Sequence, residues 1–387
     1  MASSYAEVDL SAIRANVAHL VSRTSAEVMA VVKADGYGHG LLPAARAALD
    51  GGASWLGVAL LDEALALRAA GIDAPILAWL WGPHEASSLA AAVTADIDIS
   101  VASIGALEMV DDLNAPARIH LKIDTGLNRN GATVDDWPQL VTAAAKSLAL
   151  DIVGVWSHFV YADAPGHPTI ARQAERFADA VEVAERAGLR PRLRHLANSA
   201  ATLTLPSAHF DLVRPGVAVY GLNPVPEVPA PALVPAMTLR SEVVLAKRVP
   251  AGEGVSYGHQ YTTTRETTLA LVPLGYADGV PRHATNRGPL AIHGQRYRIA
   301  GRVCMDQIVV DVGDDDVHAG DEVVLFGPGK AGEPTAQDWA DALDTIHYEV
   351  VTRIGPRVPR VHVERPPHEN ASHKALRVSA GTPKARR

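Results

Sequence analysis

The chain has 387 residues, of which 48% are hydrophobic, and carries a formal net charge of -8. That length and apolar content suffice for a large barrel plus an accessory domain, and the acidic balance argues against a protein that tracks nucleic-acid phosphates. A single cysteine, Cys304, excludes an intrachain disulfide framework and a cysteine-built metal cluster, and no ligand-spaced histidine cluster points to a metal. The first residues, MASSYAEVDL, show no secretory pattern, and no charge-free apolar run reaches a membrane-spanning length, so a cytoplasmic chain without membrane contact is expected.

Taken in chain order, residues 1–7 form a candidate strand, followed by a helix with Ile13, Val17, Leu20 and Val21 on one face. Eight apolar runs then alternate with helical stretches. They are EVMAVV from Glu27, SWLGVA from Ser54, PILAWL from Pro75, DIDISV from Asp96, ARIHLKI from Ala117, DIVGVWSHF from Asp151, LRHLA from Leu193 and LVRPGVAVY from Leu212. The clearest helix is TIARQAERFADAVEVAERAG, where Ile170, Ala174, Phe177, Ala178 and Val181 recur with helical spacing. Eight strand–helix units predict an α/β fold, a (β/α)8 TIM-type barrel, over residues 8–233. An open doubly wound sheet is the alternative. The proline-rich stretch from Asn223 reads as a linker. Beyond it the helical pattern fades, and runs such as TLRSEVVLAKRV, TTLALVPLGY, YRIAGRV, QIVVDV and DEVVLFG predict a mostly-β domain over 234–364, which residues 1–7 are candidates to join. Residues 365–387 read as a disordered basic tail.

In such a barrel the functional side chains sit at the C-terminal ends of the strands. The first run leads into KADGYGHG, with Lys33, Tyr37 and His39; the fifth into KIDTGLNRNG, with Lys122, Asp124 and Arg129. The sixth ends at His158, the seventh at Asn198 and Ser199, and the eighth holds Arg214 before Pro215 and Gly216. Each residue has an ordinary reading. A lysine at a strand end is usually solvated, a lone histidine is usually structural, Arg214 suits a barrel-end salt bridge, and Asn198-Ser199 suits a helix cap. Their joint occurrence at one end of the strands favours a site.

The string AVVKADGYGHG closely resembles the cofactor-lysine signature of alanine racemases. The resemblance runs from about Ala6 to Arg360 and includes KIDTGLNRNG, WSHFVYAD, HLANSA, RPGVAVYG, VSYGHQY, VPLGYADGVPR, GRVCMDQ and RVPR. It implies a pyridoxal-phosphate enzyme in which Lys33 holds the cofactor covalently and serves as one catalytic base, with Tyr257 as the second. It places Arg214 against the pyridine nitrogen and Tyr37, Ser199, Gly216 and Val217 around the phosphate, with His158 and Asn198 beside the cofactor. Arg129 and Met305 match substrate-carboxylate positions, and Lys122 matches a lysine often carbamylated. The resemblance further implies a homodimer in which Lys33 of one chain meets Tyr257 of the other, and a role in supplying D-alanine for peptidoglycan. One departure stands out: Pro356 occupies the place before RVPR where the family often has a phosphate-binding tyrosine.

Racemisation removes the α-proton from one face of an amino acid and returns one to the other, which requires an electron sink and a base on each face. His158 and Arg214 are candidate sources of the polarisation that Tyr257 needs. An arginine, rather than an acid, against the ring nitrogen favours racemisation over the chemistry of related amino-acid decarboxylases. A racemase of serine or of several amino acids remains open at this point. A cofactor carrier without enzymatic activity would need neither VSYGHQY nor VCMDQ.

Overall fold

A computed structural model describes residues 3–230 and 232–365; the predicted tail lies, apart from Arg365, outside the described residues. Strand β1 is Tyr5–Asp9. The eight apolar runs then form β2 (Glu27–Val31), β3 (Trp55–Val58), β4 (Ile76–Ala78), β5 (Asp98–Val101), β6 (Ala117–Lys122), β7 (Leu150–Trp156), β8 (Leu193–His195) and β9 (Leu212–Val213). They build one parallel sheet in the order β8-β7-β6-β5-β4-β3-β2-β9. Backbone bonds from Asp211 to Arg194 (3.1 Å) and from Arg214 to Ala197 (2.9 Å) join the two ends. The (β/α)8 barrel therefore holds, and the open sheet does not.

Parallel strands covered by helices are buried on both faces, and β3, β4 and β5 are buried at every residue. Met29, Trp55, Leu77, Val153, Leu193 and Leu212 form an apolar cluster separate from the main core. Drawn from six different barrel strands, it fills the lumen as closure requires. The helix Leu10–Ser22 buries Ile13, Val17 and Leu20 as expected.

Helix Pro168–Arg186 departs from the predicted stripe. It buries Ile170, Gln173, Phe177, Ala180, Val181 and Ala184, while Ala178 is exposed. Polar Gln173 enters the interior because its amide is satisfied, accepting from the Val160 N–H (3.0 Å) and donating to Thr125 Oγ1 (3.1 Å). The proline-rich stretch is packed rather than loose. Asn16 donates to the carbonyls of Val219 (3.2 Å) and Val234 (2.9 Å) and accepts from the Val234 N–H (2.8 Å).

The C-terminal part centres on a six-stranded sheet in which β1 lies between β10 (Met237–Glu242), antiparallel, and Arg360–Val363, parallel. A three-stranded sheet joins Leu245–Val249, Thr267–Val272 and Ile308–Gly313. In YRIAGRV only the first two residues belong to a strand, Gln295–Arg298. Two helices interrupt the β pattern, Ala336–Leu343 and His347–Thr352. Both are too short for a helical period to be read from sequence. The Thr335/Asp338 capping box, present in the structure, was the available signal.

Candidate active site

Lys33 follows β2 and opens a turn whose backbone is left-handed. Ala34, Asp35, Gly36, Tyr37 and Gly38 have φ of 54°, 54°, 61°, 52° and 80°. Each non-glycine residue there costs about 1–2 kcal/mol, so the turn needs support. The Ala34 N–H donates to the Glu63 carboxylate (2.6 Å) and the Leu41 N–H to Asp35 (2.7 Å). From the far end of the chain, Arg360 Nε donates to the Gly38 carbonyl (2.9 Å), and a His362 ring nitrogen meets the His39 carbonyl (2.8 Å). Buried His39 turns inward, with Nδ1 against the Gly36 and Tyr37 carbonyls at 3.0 and 2.9 Å, so it holds the turn rather than facing the site.

The turn forms one wall of a cavity of about 450 Å³ at the C-terminal mouth of the barrel, within the ordinary size range of small-ligand pockets, about 300–1,000 Å³. Lys33, Tyr37, Lys122, Arg129, His158, Asn198, Ser199, Arg214, Gly216 and Val217 all line it. Ten of the twelve predicted site residues thus meet in one space. Trp79, Trp156, Tyr348 and Thr352 line it as well and went unnoticed in the sequence. Pro356 is not part of the wall, whereas Tyr348 and Thr352, from the helix His347–Thr352, are.

The cavity is cationic. Burial first, then Arg129, lowers the Lys33 ammonium, with Glu63 opposing. Burial and the Arg214 and Arg129 charges push Lys122 down to about 7. Its Nζ lies 4.0 Å from the centre of the Trp156 ring, and the Arg214 guanidinium is 4.7 Å from the same ring. Burial and Arg214 keep His158 well below the ordinary histidine range, so its ring is neutral.

Arg214 is buried and, among the described residues, has no carboxylate within ion-pair distance, which sets aside the salt-bridge reading. Nη1 donates to His195 Nδ1 (3.2 Å), and Nη2 to the Ser157 carbonyl (2.7 Å). Its Nε–H has no partner among the described residues. Asn198 caps the helix Ser199–Thr204 by accepting from the Ala201 N–H (3.1 Å). Ser199 Oγ accepts from the N–H groups of Gly216 (2.7 Å) and Ala218 (3.3 Å), leaving its own proton to donate. A Cβ at Gly216 would overlap the Tyr37 hydroxyl. Only glycine leaves that cradle open, and it lies after strands seven and eight of the barrel, where phosphates commonly bind.

Tyr257 and Met305 are the two predicted residues that the single chain does not bring to the cavity. They are 71% and 53% exposed. Tyr257 stands on a tight turn, held by the Ser256 hydroxyl donating to the Arg302 carbonyl (2.7 Å). A second cavity, of about 490 Å³, lies beside β1 and β10. Several of its charged groups pair with one another, Arg240 with Glu7 and Glu322, and Arg365 with Glu7.

Known proteins place the chain. Residues 8–224 match the model of the alanine racemase N-terminal domain, and residues 236–362 that of the C-terminal domain. An alanine racemase of Frankia casuarinae is 62% identical over 93% of this chain and 96% of its own length. One from Salinispora arenicola is 63% identical over 93% of this chain and 98% of its own. The crystal structure of alanine racemase from D-cycloserine-producing Streptomyces lavendulae superimposes with a TM-score of 0.91 at 53% identity, covering 95% of this chain and 99% of the other. With both domain models matched and such relatives aligned nearly end to end, this chain belongs to the alanine racemase family.

Proposed function

We propose that the cavity around Lys33 interconverts L- and D-alanine, the reaction of the family, and that Tyr257 of a second subunit completes it. Alanine racemases depend on pyridoxal phosphate. When bound, that group supplies the electron sink that acidifies the α C–H of an attached amino acid. The residues present fit it. Ser199, the Gly216 and Val217 backbone and Tyr37 form the cradle for its phosphate, and the Tyr348 hydroxyl, also in the cavity wall, is a further donor in place of a residue at Pro356. Burial pushes the Tyr348 hydroxyl up to about 12, so it remains a protonated donor. The unshared Arg214 Nε–H is the donor available to the ring nitrogen. Lys33 is the tether.

Lys33 Nζ, desolvated and depressed, takes the α-proton on one face of the substrate. The Tyr257 hydroxyl of the partner subunit serves the other face, with neutral His158 linking it to Arg214. Arg129 and the partner subunit's Met305 meet the substrate carboxylate. The product is D-alanine for peptidoglycan, made in the cytoplasm. The observation that carries this reading is the single cavity that joins Lys33, the anion cradle and the free Arg214 N–H. Polarimetry of the purified protein with pyridoxal phosphate, on L-alanine and on L-serine, tests it. Fast loss of rotation with alanine is expected. No change with alanine but rapid loss with serine would transfer the assignment to a serine racemase.

Arg214→Glu is expected to slow racemisation by at least tenfold and to add a long-wavelength absorption band during turnover. A carboxylate shares a proton with a ring nitrogen, which a guanidinium does not. Unchanged spectra and turnover would remove Arg214 from this role.

Lys122 yields a pH-dependent prediction. Only a neutral amine adds carbon dioxide, and with the ammonium pushed down to about 7 the neutral form prevails above that pH. In ¹³C-bicarbonate a carbamate carbon resonance should therefore be present at pH 8 and fade as the pH falls through 7. Its absence at pH 8, or its persistence in Lys122→Ala, would show that Lys122 is not carbamylated.

A further inference from the structure

A buried polar chain crosses the barrel from its lower rim to the cavity. At the rim, Arg118 Nε donates to Asp98 Oδ1 (2.7 Å). Asp98 Oδ2 lies 3.0 Å from His120 Nε2, His120 Nδ1 lies 2.9 Å from His195 Nε2, and His195 Nδ1 lies 3.2 Å from Arg214 Nη1. Asp98, His120 and His195 are 0% exposed. The path uses four strand positions of the barrel: Asp98 opens β5, His120 is in β6, His195 ends β8 and Arg214 follows β9. Trp156 stacks on His195 with ring planes 2° apart, and a Cβ at Gly154 would collide with His120 Nδ1. His195 is thus stacked on an indole, and the glycine leaves the space that the His120 ring occupies.

The donor count gives the chain one direction. A guanidinium only donates, so His195 Nδ1 accepts from Arg214. Burial and Arg214 hold His195 well below its ordinary range, so the ring is neutral and its single proton is on Nε2. That proton is donated to His120 Nδ1, which obliges His120 to carry its own proton on Nε2 and to donate to Asp98. Burial would push the Asp98 carboxyl up, but its hydrogen bonds with His120 and Arg118 and the Arg118 charge prevail and keep it ionised. Every donor in the chain points toward Asp98. Filling a lumen does not require ionised groups, and hydrophobic side chains of similar volume are often at least as stabilising.

We propose that Asp98 is a positioning residue for Arg214. Through His120 and His195 it fixes a one-way hydrogen-bond chain that holds the guanidinium aimed and charged at the cavity. This rests on the reading of Arg214 as the residue that faces the cofactor ring. Burial alone draws Arg214 down to about 9, and on its open side it faces cationic Arg129, the depressed amines of Lys33 and Lys122, and neutral His158. The anion at the far end of the chain opposes that loss of charge, while Arg118, half-exposed and shared with Asp96, partly offsets Asp98.

Two measurements test this on the full-length protein. The first needs no variant. ¹⁵N spectra of histidine-labelled wild-type protein, assigned with His120→Gln and His195→Gln, are expected to show both rings neutral and protonated on Nε2 from pH 6 to 9. An Nδ1–H tautomer or an imidazolium at either ring overturns the proposal. The second is the pH titration of the bound cofactor's visible absorption. In Asp98→Asn the alkaline transition should move about one pH unit toward acid. His120→Phe, with no donor or acceptor, should move it similarly. His120→Gln, which keeps one of each, should restore the wild-type position. Adding Asp98→Asn to His120→Phe should change nothing further. A wild-type titration in Asp98→Asn, or an equal extra shift in the double variant, overturns transmission through the chain. Failure of the wild type to take up pyridoxal phosphate would instead overturn the functional reading, while the tautomer measurement would still judge the hydrogen-bond chain.

Discussion

Lys33→Ala is expected to fold and to lose alanine racemisation in both directions by on the order of 10⁴-fold. The lysine is at once tether and base in the proposed mechanism, so no second group retains half of its work. The fold should not suffer. The residue contributes a desolvated cation beside Arg129, and the left-handed turn behind it is held by Glu63, Asp35, Arg360 and His362, none of which the substitution touches. Cofactor should still enter through the Ser199–Gly216 cradle, but reversibly, and the visible absorption of covalently held pyridoxal phosphate should be absent. Absorbance after gel filtration, together with polarimetry from each enantiomer, gives the result. Retention of normal turnover would remove Lys33 from the mechanism.

The second large effect is a recovery. Tyr257→Phe should be as inactive as Lys33→Ala while keeping its cofactor, because it leaves the cavity wall intact. In one chain Tyr257 is 71% exposed and does not line the Lys33 cavity. Exposed Tyr276 and Met305 accompany it in the C-terminal part. Exposed apolar groups of this kind suit an interface. If two chains pair about a twofold axis and each Tyr257 enters the other's cavity, a mixed dimer of the two inactive variants has one site with both lesions and one with none. Random reassembly makes about half the dimers mixed, so about a quarter of wild-type activity should return. Proven subunit exchange without any return of activity would confine each site to one chain and require Tyr257 to reach Lys33 by another route.

The barrel and most of its cavity were legible because closure of a parallel sheet carries the residue after each strand to one mouth. Reading the strand ends therefore gathered Lys33, Lys122, His158, Ser199 and Arg214 without any knowledge of pairing. Tyr348 and Thr352 escaped because they reach the cavity from a six-residue helix whose place depends on docking between the two parts of the chain. His120 and His195 escaped for another reason. Within ARIHLKI and LRHLA a histidine reads as a polar interruption of an apolar strand, and its value emerges only when neighbouring strands bring it within bonding distance of another ring. Gln173 escaped in the same way, since a glutamine on a helical face reads as solvent-facing unless its partners are known.

The left-handed turn that carries Lys33 also constrains when the site comes into being. Two of its supports, Arg360 and His362, are separated from Gly38 and His39 by 322 and 323 residues. A contact of such sequence separation forms late, because loop closure over most of the chain must come first. In a chain emerging from the ribosome, the barrel strands can associate while the strand Arg360–Val363 is still unmade. The lysine turn, conformationally costly on its own, then lacks two of its clamps. Residues made more than 300 positions after the turn thus finish the first loop of the Lys33 cavity, and a chain interrupted before Arg360 carries Lys33 on a turn that lacks two of its supports.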